Sequence, residues 1–440
     1  MSSRRMVLDA LDALQVLGRL AWLRRSQWYA PDRLRAFQES RLRHVVRHAY
    51  AHSPFYRRRF DAAGVQPSNI HTLDDLQRIP LLQRQDVADH KAEITADNAR
   101  RYRPESGSTS GTTGARLEFI RDRQAIITIR AVMWRFEGWH GVRWKHRRAE
   151  LRSNRHVKSP FFYDRSSGGP TMLVNTTDPG ITREGAAAAL EAFAPDVIFA
   201  TSPTWLSFLS LHLIAHPERV VRPGVVFSVG ERLFPEQRRL ISEALGAPVV
   251  ELYSTLEYVV AGGECERGRL HIASEMGIVE IVKNDQRCSP GEPGDLVLTS
   301  LWSRAFPFIR YAIGDIGYLE TELCPCGRSL PTWRIVGGRH KDLVTTPKGI
   351  RNLPTNLLAE PRWREKIAGV RFLQESPDAL IAQVVRGPAF AAEDTEALRA
   401  EVDAYFEGLL TVSVEFVDSI EQTAGGKYRF VVSRVSPLKG

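Results

Sequence analysis

Four cysteines among 440 residues exclude a disulfide-stapled scaffold. Long apolar runs are missing too. The best candidate, Met6 to Leu23, is interrupted by Asp9, Asp12, Gln15 and Arg19, which excludes a membrane span. No signal peptide is read at the start of the chain, so a cytoplasmic protein is expected. There is no zinc finger, RNP-like aromatic pattern or helix-turn-helix signature, and nucleic acid is not an expected partner. Neither an internal repeat nor a low-complexity tract interrupts the chain. Lysine is scarce beside arginine.

What remains is an ordinary globular composition, 43% hydrophobic and 25% charged. A chain this long exceeds one typical core and fits two domains, one of them large. The net charge is +9. An arginine-preferring genome accounts for it, and so does a surface that attracts nucleotide, CoA, acidic lipid or another anion.

Residues 7–50 read as helical. Val7, Leu11, Leu14, Ala21 and Trp22 share one face, with Asp9, Asp12, Gln15 and Arg19 opposite and Arg24 and Arg25 following. Packing of this helix on the main domain is expected, rather than membrane association. Helices and strands then alternate: helices at Ala186–Phe193, Pro203–Leu213 and Glu236–Leu245, strands at Val197–Ala200, Val225–Val229 and Val249–Leu252. That alternation predicts α/β architecture with parallel sheet. A domain boundary is placed at Gly337-Gly338. It makes 1–337 the large domain, with a helical segment over 1–92, and 338–440 a small α+β lid.

The densest chemical signal is Ser108-Thr109-Ser110-Gly111-Thr112-Thr113-Gly114. Glycines let such a loop fold tightly, and its N–H groups and hydroxyls suit phosphate oxygens. The spacing is not that of a Walker loop, and alone it reads equally as a linker. Further along stand Ser228-Val229-Gly230-Glu231, Tyr253-Ser254-Thr255-Leu256-Glu257 and Arg310-Tyr311-Ala312-Ile313-Gly314-Asp315. Gly338-Arg339-His340-Lys341-Asp342 and Gly425-Gly426-Lys427-Tyr428-Arg429 follow.

Six such motifs in this order resemble the adenylate-forming, acyl-CoA synthetase-like superfamily, in its phenylacetate–CoA ligase and capsule-biosynthesis-like branch. The likeness runs from about residue 30 to the C-terminus. It implies a large N-terminal α/β domain, a mobile C-terminal lid hinged near Asp342, and ATP with Mg²⁺ as cofactors. A carboxylic acid would be activated as acyl-AMP and passed to CoA. An amine or a hydroxyl acceptor, and a non-catalytic nucleotide-binding homologue in polysaccharide biosynthesis, are the alternatives, and a homodimer is left open.

By the same resemblance, Ser108 to Gly114 would embrace the phosphates. Tyr253 would stack on adenine beside Gly230, Glu231, Ser254 and Thr255. Asp315 would hold the ribose hydroxyls, Glu257 would hold Mg²⁺, and Arg339 would assist at ribose or phosphate. Lys427 would bridge carboxylate and α-phosphate. The chain departs from the family pattern at Ala115-Arg116, Ser254, Leu256, Ala312 and Ile313.

Cys265, His271, Cys324 and Cys326 form a second constellation. Three thiols and an imidazole suit a structural Zn²⁺ site. Separate buried thiols and a surface histidine are the plain alternative. Cys288 is left over, as a core thiol or in place of His271. Trp134, Trp139 and Trp144, with Arg135, Arg143, Arg147 and Arg148, suit a core-and-rim helix or an anionic acceptor.

Overall fold

The computed structural model describes residues 3–109, 117–153, 159–164, 169–337, 344–347, 349–351, 361–363, 366–420 and 431–435. They fall into two compact units. The first holds Met1–Val142 and Leu252–Val336; the second holds Arg143–Glu251 and Gly337–Gly440.

The first unit opens with α1 (Ser3–Ser26) and α2 (Pro31–His52). The expected single helical stretch is broken at residues 27–30, because Pro31 cannot continue a helix but starts one well. Then come α3 (Pro54–Ala62), α4 (Arg84–Asp89) and α5 (Lys91–Ile94), a hairpin of β1 (Glu105–Thr109) and β2 (Leu117–Arg121), and α6 (Arg123–Trp139).

The second unit begins with β3 (Arg148–Arg152), β4 (Phe161–Asp164), β5 (Thr171–Asn175), α7 (Arg183–Phe193), β6 (Val197–Ala200), α8 (Pro203–Ala215), β7 (Val225–Val229) and α9 (Pro235–Leu245). Strands β5, β3, β6 and β7 run parallel in that order, with β4 antiparallel on the β5 edge. All five residues of β7 are buried, as fits a strand covered on both faces. The alternation legible in the sequence is therefore realised as parallel sheet. Ser202 caps α8 by accepting the Trp205 N–H at 3.2 Å.

The chain returns to the first unit within β8 (Val249–Ser254). There follow β9 (Ala261–Glu264), β10 (Leu270–Ile272), β11 (Gly277–Lys283), β12 (Gln286–Arg287), β13 (Gly294–Ser300), β14 (Tyr311–Leu319) and β15 (Thr332–Gly337). Their sheet runs β12-β11-β13-β14-β15-β10-β9-β8. A core of Val45, Phe60, Leu298, Phe308, Tyr311 and Trp333 lies between this sheet and the helices.

The second unit closes with a hairpin of β16 (Val344–Thr346) and β17 (Gly349–Arg351), then β18 (Ile367–Ser376), β19 (Ala379–Arg386), α10 (Glu393–Tyr405), β20 (Thr411–Phe416) and β21 (Val431–Ser433). Its four-stranded sheet, β20-β19-β18-β21, packs Phe372, Leu380 and Val384 against Leu398 and Val402 of α10. This is the α+β segment expected near the C-terminus.

One expectation is reversed. The reading of α1 placed Leu11 and Leu14 on a packed face and Asp12 and Arg19 on the opposite one. Asp12 is instead buried, paired with Arg123, while Leu11 and Leu14 are exposed. Arg19 donates to Thr128 Oγ1 and Gln124 Oε1 of α6, each at 3.2 Å. Polar partners on α6 make the polar face the sticky one. Among the described residues no helix is long and apolar enough to cross a membrane.

Candidate nucleotide site and cysteine–histidine cluster

Three residues of the resemblance meet in the first unit. Strand β8 ends at Ser254, and a tight turn follows in which the Tyr258 N–H donates to Thr255 O at 3.0 Å. Thr255 Oγ1 also accepts the Val259 N–H at 3.3 Å. Tyr258 takes a left-handed conformation there, φ 56°. The turn leaves Leu256 exposed and Glu257 buried. The Tyr311 hydroxyl, itself buried, donates to Glu257 Oε1 at 3.2 Å. The Tyr253 hydroxyl donates to Asp315 Oδ2 at 2.7 Å. Trp333 stands nearly edge-on to the Tyr253 ring, centroids 4.9 Å apart.

Burial pushes the Tyr253 hydroxyl well above its ordinary pKa, and the neighbouring Asp315 and Glu257 charges push it further. Tyr311 moves the same way, from burial and then from Glu257, with Arg84 opposing. Both phenols therefore stay protonated across the working pH range and act as donors to carboxylates.

Arg310, first in its motif, does a different job. It is buried, pairs with Glu280 at 3.2 Å and donates to Ile79 O at 2.7 Å. Its backbone N–H reaches Thr299 Oγ1 at 2.9 Å. These bonds lock the start of β14. Gly314, φ 91°, then bends the strand just ahead of Asp315, in a region that favours glycine. Ile313, one of the departures, joins the core. Tyr311, Trp333 and Arg84 carried no role in the sequence reading. Tyr311 lies inside a recognised motif, which was the one available signal.

Other assigned residues lie elsewhere. Ser108 and Thr109 end β1, paired with Glu118 and Leu117 of β2. Gly230 and Glu231 belong to the second unit. Gly230 follows β7 at φ 87°, and Glu231 Oε2 accepts a hydrogen bond from Ser202 Oγ at 2.9 Å. Residues 110–114, Arg339 and Lys427 lie outside the described residues.

The cysteine reading finds its residues assembled. Ligand atoms of Cys265, His271, Cys324 and Cys326 all lie within 4.8 Å of one another. Cys265 Sγ is 3.6 Å from Cys324 Sγ, and Cys326 Sγ is 3.3 Å from His271 Nε2. Tetrahedral zinc with ordinary bond lengths has ligand–ligand edges of about 3.5–3.8 Å, so the donor set fits. All four cysteines are free thiols. His271 Nδ1 is engaged by Leu330 O at 2.8 Å, which turns Nε2 toward the thiols.

Two turns present the sulfurs. The Gly268 N–H reaches Cys265 O at 2.9 Å, and the Gly327 N–H reaches Cys324 O at 3.1 Å, with both glycines left-handed. The Arg267 N–H points at Cys265 Sγ, 3.4 Å away. Cys288 stands apart, its thiol 4.0 Å from Pro293 O, and does not replace His271.

Trp139 packs across the His271 ring at 5.7 Å and donates to Gln27 Oε1 at 2.8 Å. Arg135 is fully buried with Glu275 at 2.8 Å. For these two residues the core reading holds. Trp144 is exposed.

Comparison with known proteins agrees with this geometry. Residues 356–434 match the family described as the CapK C-terminal domain. A phenylacetate–coenzyme A ligase of Thermus thermophilus is 28% identical over 345 residues, 74% of this chain and 75% of that one. Protein CapK of Staphylococcus aureus is 22% identical, covering 90% of this chain and 89% of its own. In fold, a crystal structure of 2-hydroxyisobutyryl-CoA ligase in the postadenylation state in complex with R3-HIB-AMP superposes with a TM-score of 0.73. It does so at 22% identity, over 93% of this chain and 91% of that one.

In fold and motif order the chain is similar to proteins of the adenylate-forming superfamily. The matched sequences are narrower than that: the chain is a homologue of the phenylacetate–coenzyme A ligases and of CapK.

Proposed function

We propose that the protein is an ATP-dependent, AMP-forming acid–thiol ligase. A carboxylate attacks the α-phosphate of ATP, giving acyl-AMP and pyrophosphate. The CoA thiolate then displaces AMP, leaving a thioester. The observation that carries this reading is the meeting of two phenol–carboxylate pairs, Tyr253–Asp315 and Tyr311–Glu257, at the positions of the family's nucleotide motifs.

Each pair has a task. Asp315, held by Tyr253, presents its carboxylate to the ribose hydroxyls. The Tyr253 ring supplies a face for adenine. Glu257 is a hard oxygen donor of the kind Mg²⁺ takes, and Mg²⁺ would neutralise charge on the phosphates. Tyr311 fixes which way that carboxylate points. Gly230 and Glu231 would line the base, with Ser108 to Gly114 around the phosphates and Arg339 near ribose or phosphate.

The domain division at 337/338 belongs to this proposal, with the C-terminal segment as a lid that serves the two steps in turn. Relatives that form CoA thioesters, matched over three quarters of their length, favour CoA over an amine acceptor. A reaction fed by ATP and CoA suits the cytoplasm.

ATP–pyrophosphate exchange across aryl, short acyl and fatty acids tests the first step, and product analysis with CoA against amines tests the second. Exchange with at least one acid and a thioester product are expected. A chain that exchanges with no acid is a binding homologue instead, and an amide product would remove CoA from the reading.

Tyr253→Phe keeps the ring but deletes a hydrogen bond to a charged group, worth about 1.5–3 kcal/mol. Because Asp315 gains water in exchange, the expected outcome is a roughly tenfold rise in KM for ATP with kcat little changed. An unaltered KM would show that this bond does not orient the ribose site.

A further inference from the structure

The α1 helix is mounted with its polar face inward. Asp12 is buried against Arg123, with Arg103 at 3.7 Å. Gln15 accepts a hydrogen bond from Gln124, and the Arg19 guanidinium lies 3.7 Å from the Trp302 ring centre. Leu20 and Leu23 complete the buried side. Asp12, Gln15 and Arg19 thus each have a protein partner on this side of the helix.

The outward face is what remains. Leu11, Leu14 and Leu17 are 47%, 65% and 61% exposed, and Trp28, just past the helix, is 52% exposed. Ala13, Gly18, Ala21, Arg24 and Arg25 are exposed alongside. Positions 11, 14, 18, 21 and 25 follow one helical stripe. Asp12 is the sole acid between residues 11 and 28, and it is buried. The segment thus offers leucines, small residues, arginines and an indole, with no exposed acid of its own between residues 11 and 28. Arg4 and Arg5 precede it in sequence.

We infer that this face docks the protein on the surface of an anionic lipid bilayer. Leucines on one side of a helix sink into the headgroup–acyl boundary, and flanking arginines meet lipid phosphates. An indole at the end of the stripe suits the same interfacial depth. A second copy of the chain fits less well. A stable dimer buries about 800 Å² per partner. Three half-exposed leucines offer a few hundred square ångströms. Two such faces brought together would also set arginines near each other without an acid to offset them.

The test is flotation of the full chain with vesicles of phosphatidylcholine alone or mixed with phosphatidylglycerol. Binding is expected to the anionic vesicles, falling as salt is raised. Leu14→Gln with Leu17→Gln should weaken partitioning roughly tenfold, by removing the inserting side chains. Arg24→Gln and Arg25→Gln should weaken it roughly fivefold each at low salt. Circular dichroism and ATP–pyrophosphate exchange should match wild type in all variants, since none of these residues touches the core or the nucleotide site. Equal flotation of wild type and leucine variants would overturn the inference. So would absence of vesicle binding together with a halved solution mass in Leu14→Gln/Leu17→Gln, which would make the face a contact between copies.

Discussion

Lys427→Ala should reduce ATP–pyrophosphate exchange by a factor of 10² to 10³ or more, while a synthetic acyl-AMP is still converted with CoA to the thioester. The first step builds negative charge between the attacking carboxylate and the α-phosphate. A preorganised positive charge at that place lowers the barrier by about 3–4 kcal/mol, the scale known for single donors at developing oxyanions. In the second step the phosphate has already been transferred to the acyl group, so the lysine has nothing left to bridge. Lys427→Arg should not rescue the first step: the guanidinium is broader, and its fork fixes where its donors point. Equal loss in both half-reactions would instead mark Lys427 as a residue needed for folding or for general nucleotide binding. Undiminished exchange would remove it from catalysis. A split between the two half-reactions would also support the proposed lid, which lets the lysine serve one step and withdraw for the other.

Much of the frame was legible because it is local. Pro203 and Pro235 open α8 and α9, each at the first helical position, and buried apolar runs such as Val225–Val229 declare parallel strands. Cys265, His271, Cys324 and Cys326 were legible as a set because their residue types have few other common uses in one short list. What periodicity could not supply was the partner. A helical stripe says which side chains share a face, and not which face is covered. On α1 the answer depended on Arg123, Gln124 and Thr128, more than a hundred residues further along the chain. The two phenol–carboxylate pairs join residues 62 and 54 positions apart, and no local pattern encodes that separation. Arg310 shows the converse. Its motif suggested chemistry, yet its burial against Glu280 makes it an anchor for the strand that carries Asp315.

Removal of zinc should be the largest change in stability. We expect one zinc per purified chain, retained through gel filtration and lost to a strong chelator together with a fall of roughly 10 °C in Tm. The argument starts from what the metal would join. Cys265 and His271 flank the β9–β10 turn, while Cys324 and Cys326 sit in the segment between β14 and β15. One ion would pin the two segments across more than fifty residues of intervening chain, so it acts on loop closure as a cross-link does. At a free concentration about a thousand times Kd, zinc contributes about 4 kcal/mol. In a domain of this size that corresponds to about 2–4 °C per kcal/mol. Cys324→Ser removes a buried ligand and should lose the metal outright. Cys288→Ser, outside the cluster, should retain the full complement and a wild-type Tm. The Trp139 ring against His271 offers a second readout, because a disturbed cluster should change tryptophan emission alongside metal loss. Purified protein without zinc, or a Cys324→Ser chain as stable as wild type, would return the four residues to the plainer reading of clustered thiols beside a buried imidazole.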